Sequence, residues 1–136
     1  MSKKTHLKIM TPRGLFLEDD VEIVTVKTTE GYIGLQADKS PLIGAIEISE
    51  MIIGKFSSPK HQVFAISNGL VYVTKTNVDI VAESVEAKEQ IDLNRAKQAK
   101  VDAEERLKQD LSKAELLQTS IELKKALNRI KVKEET

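Results

Sequence analysis

IDLNRAKQAKVDAEERL, residues 91–107, is the stretch that decides the fold, because the chemistry of the chain changes there. Its apolar positions recur every three or four residues, which is typical of a helix with one buried face. All six glycines and all three prolines lie before residue 70, so the last 67 residues contain no helix breaker. We therefore expect the chain to change from strands to helices near residues 84–89.

The part of the chain before this boundary has the pattern of an all-β domain. Turn residues recur about every ten positions among β-branched, alternating segments. The clearest alternation is VEIVTVKT, residues 21–28, in which Val21 and Ile23 share one face and Val24 and Val26 share the other. Further strands are predicted at 6–10, 15–17, 32–35, 43–48, 51–56, 62–67, 70–74 and 78–82. Because no helical crossover separates them, we expect nine or ten antiparallel strands in two packed sheets.

Two apolar stripes follow the boundary. The first is made largely of small residues: Ala96, Ala99, Ala103, Leu107 and Leu111. The second is broader: Ala114, Leu116, Leu117, Ile121, Leu123, Leu127 and Ile130. Between the stripes, Ser112 and Glu115 have the spacing of a capping box, which predicts the start of a new helix and hence a helical hairpin. The absence of glycine and proline leaves one long continuous helix as the alternative, and both forms are accessible.

These patterns together predict an α+β fold with two domains. Residues 1–86 form an N-terminal antiparallel β-sandwich of about ten strands, and residues 87–136 form a C-terminal two-helix hairpin. Helices with one apolar stripe bury little by themselves, so the hairpin needs a further surface on which to dock.

Composition excludes several classes of function. The 136 residues include no cysteine, which excludes disulfides and thiolate metal sites. A formal net charge of zero gives no support for a nucleic-acid-binding protein. No apolar run has the length of a membrane span, and the start, MSKKTHLKIM, lacks the apolar core of a signal peptide. His6 and His61 have no partners with catalytic spacing, so the residues favour ordinary strand histidines and a protein that is not an enzyme.

Charge is distributed unevenly in the helical half. Residues 121–133 contain five basic residues and one acidic residue. This segment is either a solvated helix end, where cations favour the helix dipole, or a surface for an acidic partner. Asp92 is predicted to be an N-cap. Arg95 would lie in a first helical turn, where its charge is stabilised by Glu86 or Glu89 or helps to hold an anion such as phosphate.

The chain as a whole resembles the epsilon subunit of bacterial F-type ATP synthase. The resemblance covers essentially the full length and includes IMTPRG at 9–14, SPLIGAIEIS at 40–49, AISNGLVYV at 65–73 and ALNRIKV at 126–132. The most specific feature is IDLNRA at 91–96, which matches the pattern IDxxRA at the junction between a β domain and a helix pair. Two turns depart from the family: Asp38-Lys39 stands where Gly-His is common, and Asn68 replaces a glycine.

The resemblance implies a non-catalytic subunit of the central stalk of the enzyme. Its β domain would bind the gamma subunit and the c-ring, and its mobile helices would contact the catalytic beta subunits and oppose ATP hydrolysis. The chain would then be peripheral to the cytoplasmic face of the bacterial plasma membrane. The resemblance places partner contacts at Asp38, Lys39, Pro41, Lys124, Lys125 and Arg129.

Some members of the family also bind ATP in their compact form, so the resemblance leaves an ATP-sensing module as an alternative function. No cofactor is required, and ATP would be a weak regulatory ligand. The matching positions are Glu86, Ile91, Asp92, Arg95, Ala96, Lys125 and Arg129. Where those members have another arginine, this chain has Asp102, which would repel phosphate and weaken binding.

Overall fold

The computed structural model describes residues 3–135, and the chain divides between Ala87 and Lys88 into two compact units. The first unit contains ten strands, which agrees with the predicted nine or ten. They are β1 Thr5–Thr11, β2 Gly14–Val21, β3 Val24–Thr28, β4 Gly31–Leu35, β5 Leu42–Ile46, β6 Ser49–Ile53, β7 Gln62–Ile66, β8 Gly69–Val73, β9 Asn77–Ala82 and β10 Val85–Ala87. The last of these, β10, was not predicted, because three residues are too few to show a periodicity.

The strands form one hydrogen-bonded path in the order β10-β7-β6-β3-β5-β8-β9-β1-β2, with β4 paired to β3. The prediction that all strands are antiparallel was wrong at one place, since β1 and β9 are parallel. Parallel neighbours need a long crossover. Here the connection between β1 and β9 consists of the intervening strands β2–β8 rather than a helix. The sequence therefore shows no helical segment that would indicate the parallel pair.

One apolar core is enclosed by the folded sheet. Leu7, Ile9, Val24, Val26 and Leu35 are completely buried within it. The predicted strand at 21–28 is in fact two elements, because β2 ends at Val21 and β3 begins at Val24. The side chains that face the core are therefore those of Val21, at the end of β2, and of Val24 and Val26 in β3, while Ile23 is only partly buried at the corner between the strands.

The β7–β8 turn depends on a glycine. A Cβ atom added to Gly69 would lie 2.4 Å from the carbonyl oxygen of Val81 and 2.9 Å from Cα of Ala82, both on the neighbouring strand β9. No side chain fits at these distances. The backbone of the neighbouring Asn68 is not left-handed, since among residues 3–135 Asp38 is the one non-glycine residue with positive φ.

The second unit is a helical hairpin, as predicted. A short 3-10 turn, Lys88–Gln90, precedes α1, Leu93–Leu107, and α2 covers Lys113–Glu134. The N-cap and capping-box predictions are both confirmed. The Asp92 carboxylate accepts a hydrogen bond from the Arg95 amide at 3.1 Å. The Ser112 hydroxyl accepts one from the Glu115 amide at 3.2 Å, and the Glu115 carboxylate accepts one from the Ser112 amide at 3.1 Å.

Small side chains and one ion pair join the two helices. Ala96 and Ala103 of α1 and Ala126 of α2 are buried, and Arg106 forms an ion pair with Glu122 at 3.5 Å. Burying one alanine methyl group contributes only about 0.8 kcal/mol. Val132 of α2 is completely buried as well, while α2 keeps exposed leucines from its predicted stripe: Leu116, Leu117 and Leu127.

Candidate functional site

The start of α1 brings together four of the residues predicted to bind nucleotide. Ile91 and Ala96 are buried, with 3% of each residue exposed, whereas Asp92 and Arg95 are exposed. As the N-cap of α1, the Asp92 carboxylate already accepts a hydrogen bond from the Arg95 amide. Arg95 itself presents its guanidinium to solvent in the first turn, and in the described part of the chain Glu89 forms no ion pair with it.

Two further predicted residues, Lys125 and Arg129, lie one turn apart on α2 and are both partly buried. The Arg106–Glu122 ion pair sets the register of the hairpin. Counting from it at 1.5 Å per residue, Arg129 is about 6 Å along the helix axis from the level of Arg95. The seventh predicted residue, Glu86, lies in β10 of the first unit, paired with Ala65 of β7.

Asp102 is exposed on α1, about two turns beyond Arg95. Its carboxylate accepts a hydrogen bond from the Gln98 side chain at 2.8 Å. A carboxylate on this surface of α1 is unfavourable for a phosphate group nearby.

The β4–β5 connection carries the predicted contact residues Asp38, Lys39 and Pro41, all of them exposed. Asp38 has a left-handed backbone with φ of 65°, a conformation that glycine adopts at less cost than other residues. Its amide donates to the Lys75 carbonyl at 2.9 Å, and its carboxylate pairs with Lys3 at 3.0 Å. The connection is therefore fixed at Asp38, and it presents Lys39 and Pro41 to solvent.

An apolar row on the outer face of the sheet was not predicted. Strand pairing aligns one outward-facing residue from each of β5, β8, β9, β1 and β2. We call this set the outer apolar row: Ala45, Leu70, Val81, Met10 and Leu15. The exposed fractions of Leu70, Val81 and Leu15 are 59%, 58% and 54%. The sequence does contain an indication of this row. The segments LIGAI at 42–46 and GLVYV at 69–73 are apolar at successive positions, and strands that are apolar on both faces are usually covered on both faces.

A polar cluster lies beside the outer apolar row, at the β1–β2 edge. The two ring nitrogens of His6 lie 2.8 Å from Glu18 Oε2 and 2.8 Å from Asp20 Oδ1. The hydrogen bond to Glu18, followed by that to Asp20, raises the pKa of His6 above 6.5, and the bond to His6 lowers the pKa of Glu18. Sequence analysis missed these partners because they lie on the next strand, where only the pairing register places them opposite His6.

Two classes of site find no support in residues 3–135. No group of three or more histidine, cysteine, aspartate or glutamate side chains there has the arrangement of a metal site. No helix in the same range has both the length and the apolar character that crossing a membrane requires. The described residues offer three surfaces: the outer apolar row, the β4–β5 connection, and the helix α2 with its basic residues and exposed leucines.

Comparison with known proteins agrees with this two-part architecture. Residues 4–88 match the family model for the β-sandwich domain of the ATP synthase delta/epsilon chain, and residues 89–134 match its long α-helix domain. The chain is 47% identical over 135 residues to the ATP synthase epsilon chain of Mycoplasma mobile, covering 98% of this chain and 96% of that protein. It is 39% identical over 132 residues to the epsilon chain of Caldanaerobacter subterraneus, covering 97% and 95%.

Solved structures show the same fold at lower identity. A chain in the cryo-EM structure of the Euglena gracilis mitochondrial ATP synthase superposes with a TM-score of 0.78 at 21% identity, covering 94% of this chain and 80% of that one. Both family models match consecutive parts of the chain, and together they leave out only a few terminal residues. The chain therefore belongs to the family of ATP synthase epsilon chains.

Proposed function

We propose that this chain is the non-catalytic central-stalk subunit of an F-type ATP synthase, joining the gamma subunit to the proton-translocating c-ring. The observation that carries the proposal is the outer apolar row. Five neighbouring strands spaced by about 4.8 Å give a row roughly 20 Å long. An exposed apolar surface of that extent, bordered by charged residues, is characteristic of a protein interface.

Charged residues lie beside the outer apolar row, as they do around the apolar centre of many protein interfaces. In the next row of the same face, Ile43 and Tyr72 continue the apolar surface, whereas Asp79, Lys8 and Glu18 form a charged rim across β9, β1 and β2. Interfaces commonly combine an apolar centre with a polar rim that stays hydrated. We infer that the gamma subunit covers this face.

Replacing Leu70 and Val81 together by glutamine tests the assembly role. We expect the affinity for the gamma subunit to fall by at least about tenfold, because a central interface side chain often contributes more than 1 kcal/mol. The matched control is Phe56→Gln, which changes a residue with 69% exposure in the β6–β7 connection rather than on this face. Titration calorimetry measures both variants; equal affinity for the two would refute the proposed docking face.

The β4–β5 connection is the proposed second contact with the rotor. Lys39 and Pro41 are exposed there, beside an Asp38 backbone fixed by its amide bond to Lys75. A rigid, exposed loop loses little entropy when a partner binds it. This contact would bring the chain to the c-ring, and so to the cytoplasmic face of the plasma membrane as a peripheral component of the complex.

Regulation of ATP hydrolysis is the proposed role of the helical unit. The support is that α2 carries both exposed leucines and basic residues. Lys124 is exposed on the side of Leu117 and Leu127, whereas Lys125 and Arg129 lie on the side away from Leu127 and are partly exposed. Cations and leucines on the helix surface suit the acidic surface of a catalytic beta subunit. Neutralising these three cations together should weaken inhibition of hydrolysis and flatten its dependence on salt. A chain shortened after Ala87 should still assemble but no longer restrain hydrolysis.

A second proposed function is weak ATP sensing by the helical unit. It is supported by the exposed Arg95 at the start of α1 and by Arg129 about one turn away along the axis. Both guanidinium groups can form charge-assisted bonds with phosphate oxygens. Asp102 opposes this binding, so Asp102→Arg should tighten it. Titration calorimetry with ATP at millimolar concentration tests for this binding in the native chain and in the Asp102→Arg variant. The absence of binding heat for both would exclude ATP sensing.

A further inference from the structure

The two ends of the helical unit exchange hydrogen bonds. The Lys88 ammonium donates to the backbone carbonyl of Glu135, and the Lys133 ammonium donates to the backbone carbonyl of Lys88 at 3.1 Å. Lys88 belongs to the 3-10 turn before α1, and Lys133 and Glu135 lie at the end of α2. We call these two reciprocal bonds the lysine latch.

The chemistry of the latch follows from the helix terminus. The last carbonyl groups of a helix lack intrahelical partners and carry partial negative charge, so an ammonium group is favoured there. Glu135 is the C-cap of α2, and its carbonyl accepts from Lys88 while its amide donates to the Lys131 carbonyl at 3.0 Å. The donor comes from the segment that leads into α1. The latch thus closes the end of the hairpin opposite to the connection 108–112.

Only the hairpin can form the latch. Lys88 and Glu135 are separated by 47 positions in sequence. If residues 93–134 formed one continuous helix with a rise of 1.5 Å per residue, its two ends would be about 60 Å apart. The latch is therefore a contact present in one arrangement and absent from the other, which is the condition for biasing an equilibrium between them.

The buried residues of the helical unit are mostly small. Four of them are Ala96, Ala103, Thr119 and Ala126, and the larger ones are Ile91 and Val132. No glycine or proline separates α1 from α2, so the break between the helices depends on the Ser112–Glu115 capping box. Two hydrogen bonds with charged donors can therefore change the equilibrium between the hairpin and a continuous helix by a measurable amount.

We propose that the lysine latch is a built-in conformational device that holds the helical unit in its hairpin form against a continuous helix. This inference concerns the isolated chain and does not rest on the proposed role in the synthase. Its failure would leave the assembly and inhibition experiments unaffected.

The distance between two labelled helix positions tests the latch. The chain has no cysteine, so Asn94→Cys and Lys131→Cys, both exposed, give two defined attachment points for spin labels. Pulsed electron resonance on the full chain should give a short distance for the hairpin and a distance of about 55 Å for a continuous helix. Lys88→Gln with Lys133→Gln should increase the long-distance population by about tenfold, because two charged donors are lost.

Two further variants and one further measurement make the result specific. Lys97→Gln with Lys113→Gln removes the same charge from exposed positions on the two helices and should leave the distribution unchanged. Lys88→Arg with native Lys133 keeps a cationic donor and should retain the short distance. Circular dichroism should show equal helix content in the latch variant and the control. A latch variant that keeps only the short distance, or that loses helix content without gaining the long distance, would overturn the proposal.

Discussion

Replacing Ser112 by alanine should shift the helical unit toward one continuous helix. Ser112 is the N-cap of α2, and its hydroxyl and the Glu115 carboxylate satisfy each other's backbone amides at 3.2 and 3.1 Å. The substitution removes the hydroxyl acceptor, so the Glu115 amide loses its partner in the hairpin. In a continuous helix that amide bonds to a carbonyl one turn earlier and needs no cap.

Two contributions determine how far Ser112→Ala shifts the equilibrium, and both favour the continuous helix over the hairpin. Loss of a serine N-cap costs about 1 kcal/mol. Alanine in the interior of a helix is more favourable than serine by about 0.5 kcal/mol, a gain available only to the continuous form. The equilibrium should move by roughly 1.5 kcal/mol, which corresponds to about a tenfold increase in the ratio of continuous helix to hairpin.

Energy transfer between fluorophores at the Asn94 and Lys131 positions, after substitution by cysteine, measures that ratio. The matched control is Ser120→Ala, in the interior of α2, where alanine improves helix propensity equally in both forms. The capping variant should lose transfer efficiency while the control retains it. Equal efficiency in the two variants would mean that something other than the capping box separates the helices, and the reasoning would be wrong.

Three other predictions concern the β unit and are measured by thermal or urea unfolding of the full chain. The raised pKa of His6 contributes stability that is fully present below pH 6.5 and is lost as pH rises through that raised pKa. The lowered pKa of Glu18 contributes stability that is present above about pH 4.5 and is lost as pH falls through that lowered pKa. His6→Asn should remove the first dependence and weaken the second, because the hydrogen bond to His6 is the main cause of the lowered pKa of Glu18. Gly69→Ala should cost about 2 kcal/mol or more, because its Cβ would collide with backbone, while Gly44→Ala, whose Cβ would meet its nearest neighbours at 3.5 Å, should cost much less. Asp38→Ala should be less stable than Asp38→Gly by about 1 kcal/mol, since the backbone there is left-handed, and equal stability of the two variants would contradict that explanation.

Much of the architecture could be predicted because it depends on local patterns. The Asp92 N-cap and the Ser112–Glu115 box are interactions between residues three positions apart, and both are found where spacing placed them. The number of strands followed from turn residues at regular intervals. By contrast, the division of 21–28 into β2 and β3 could not be seen, because an alternating pattern contains no information about where the chain turns a corner of the sheet.

Some of the candidate surfaces are made of residues that are close in sequence, and others are made of residues that only strand pairing brings together. The predicted nucleotide residues at the start of α1 are neighbours in sequence and share one helical turn, and Lys125 and Arg129 occupy successive turns of α2. The outer apolar row, however, combines residues from five strands, and the His6 cluster depends on a register that places Asp20 opposite His6. Sequence patterns do not specify which strands become neighbours.

The sequence by itself determined the two-part α+β organisation, the helix boundaries with their caps, and the family to which the chain belongs, because each depends on periodicity, spacing or motif within one segment. The tertiary structure alone decided the parallel β1–β9 pair, the outer apolar row and the lysine latch. These features join residues that are distant along the chain. Their formation depends on how the whole chain packs, since packing chooses the strand order and brings the end of α2 back to the turn before α1.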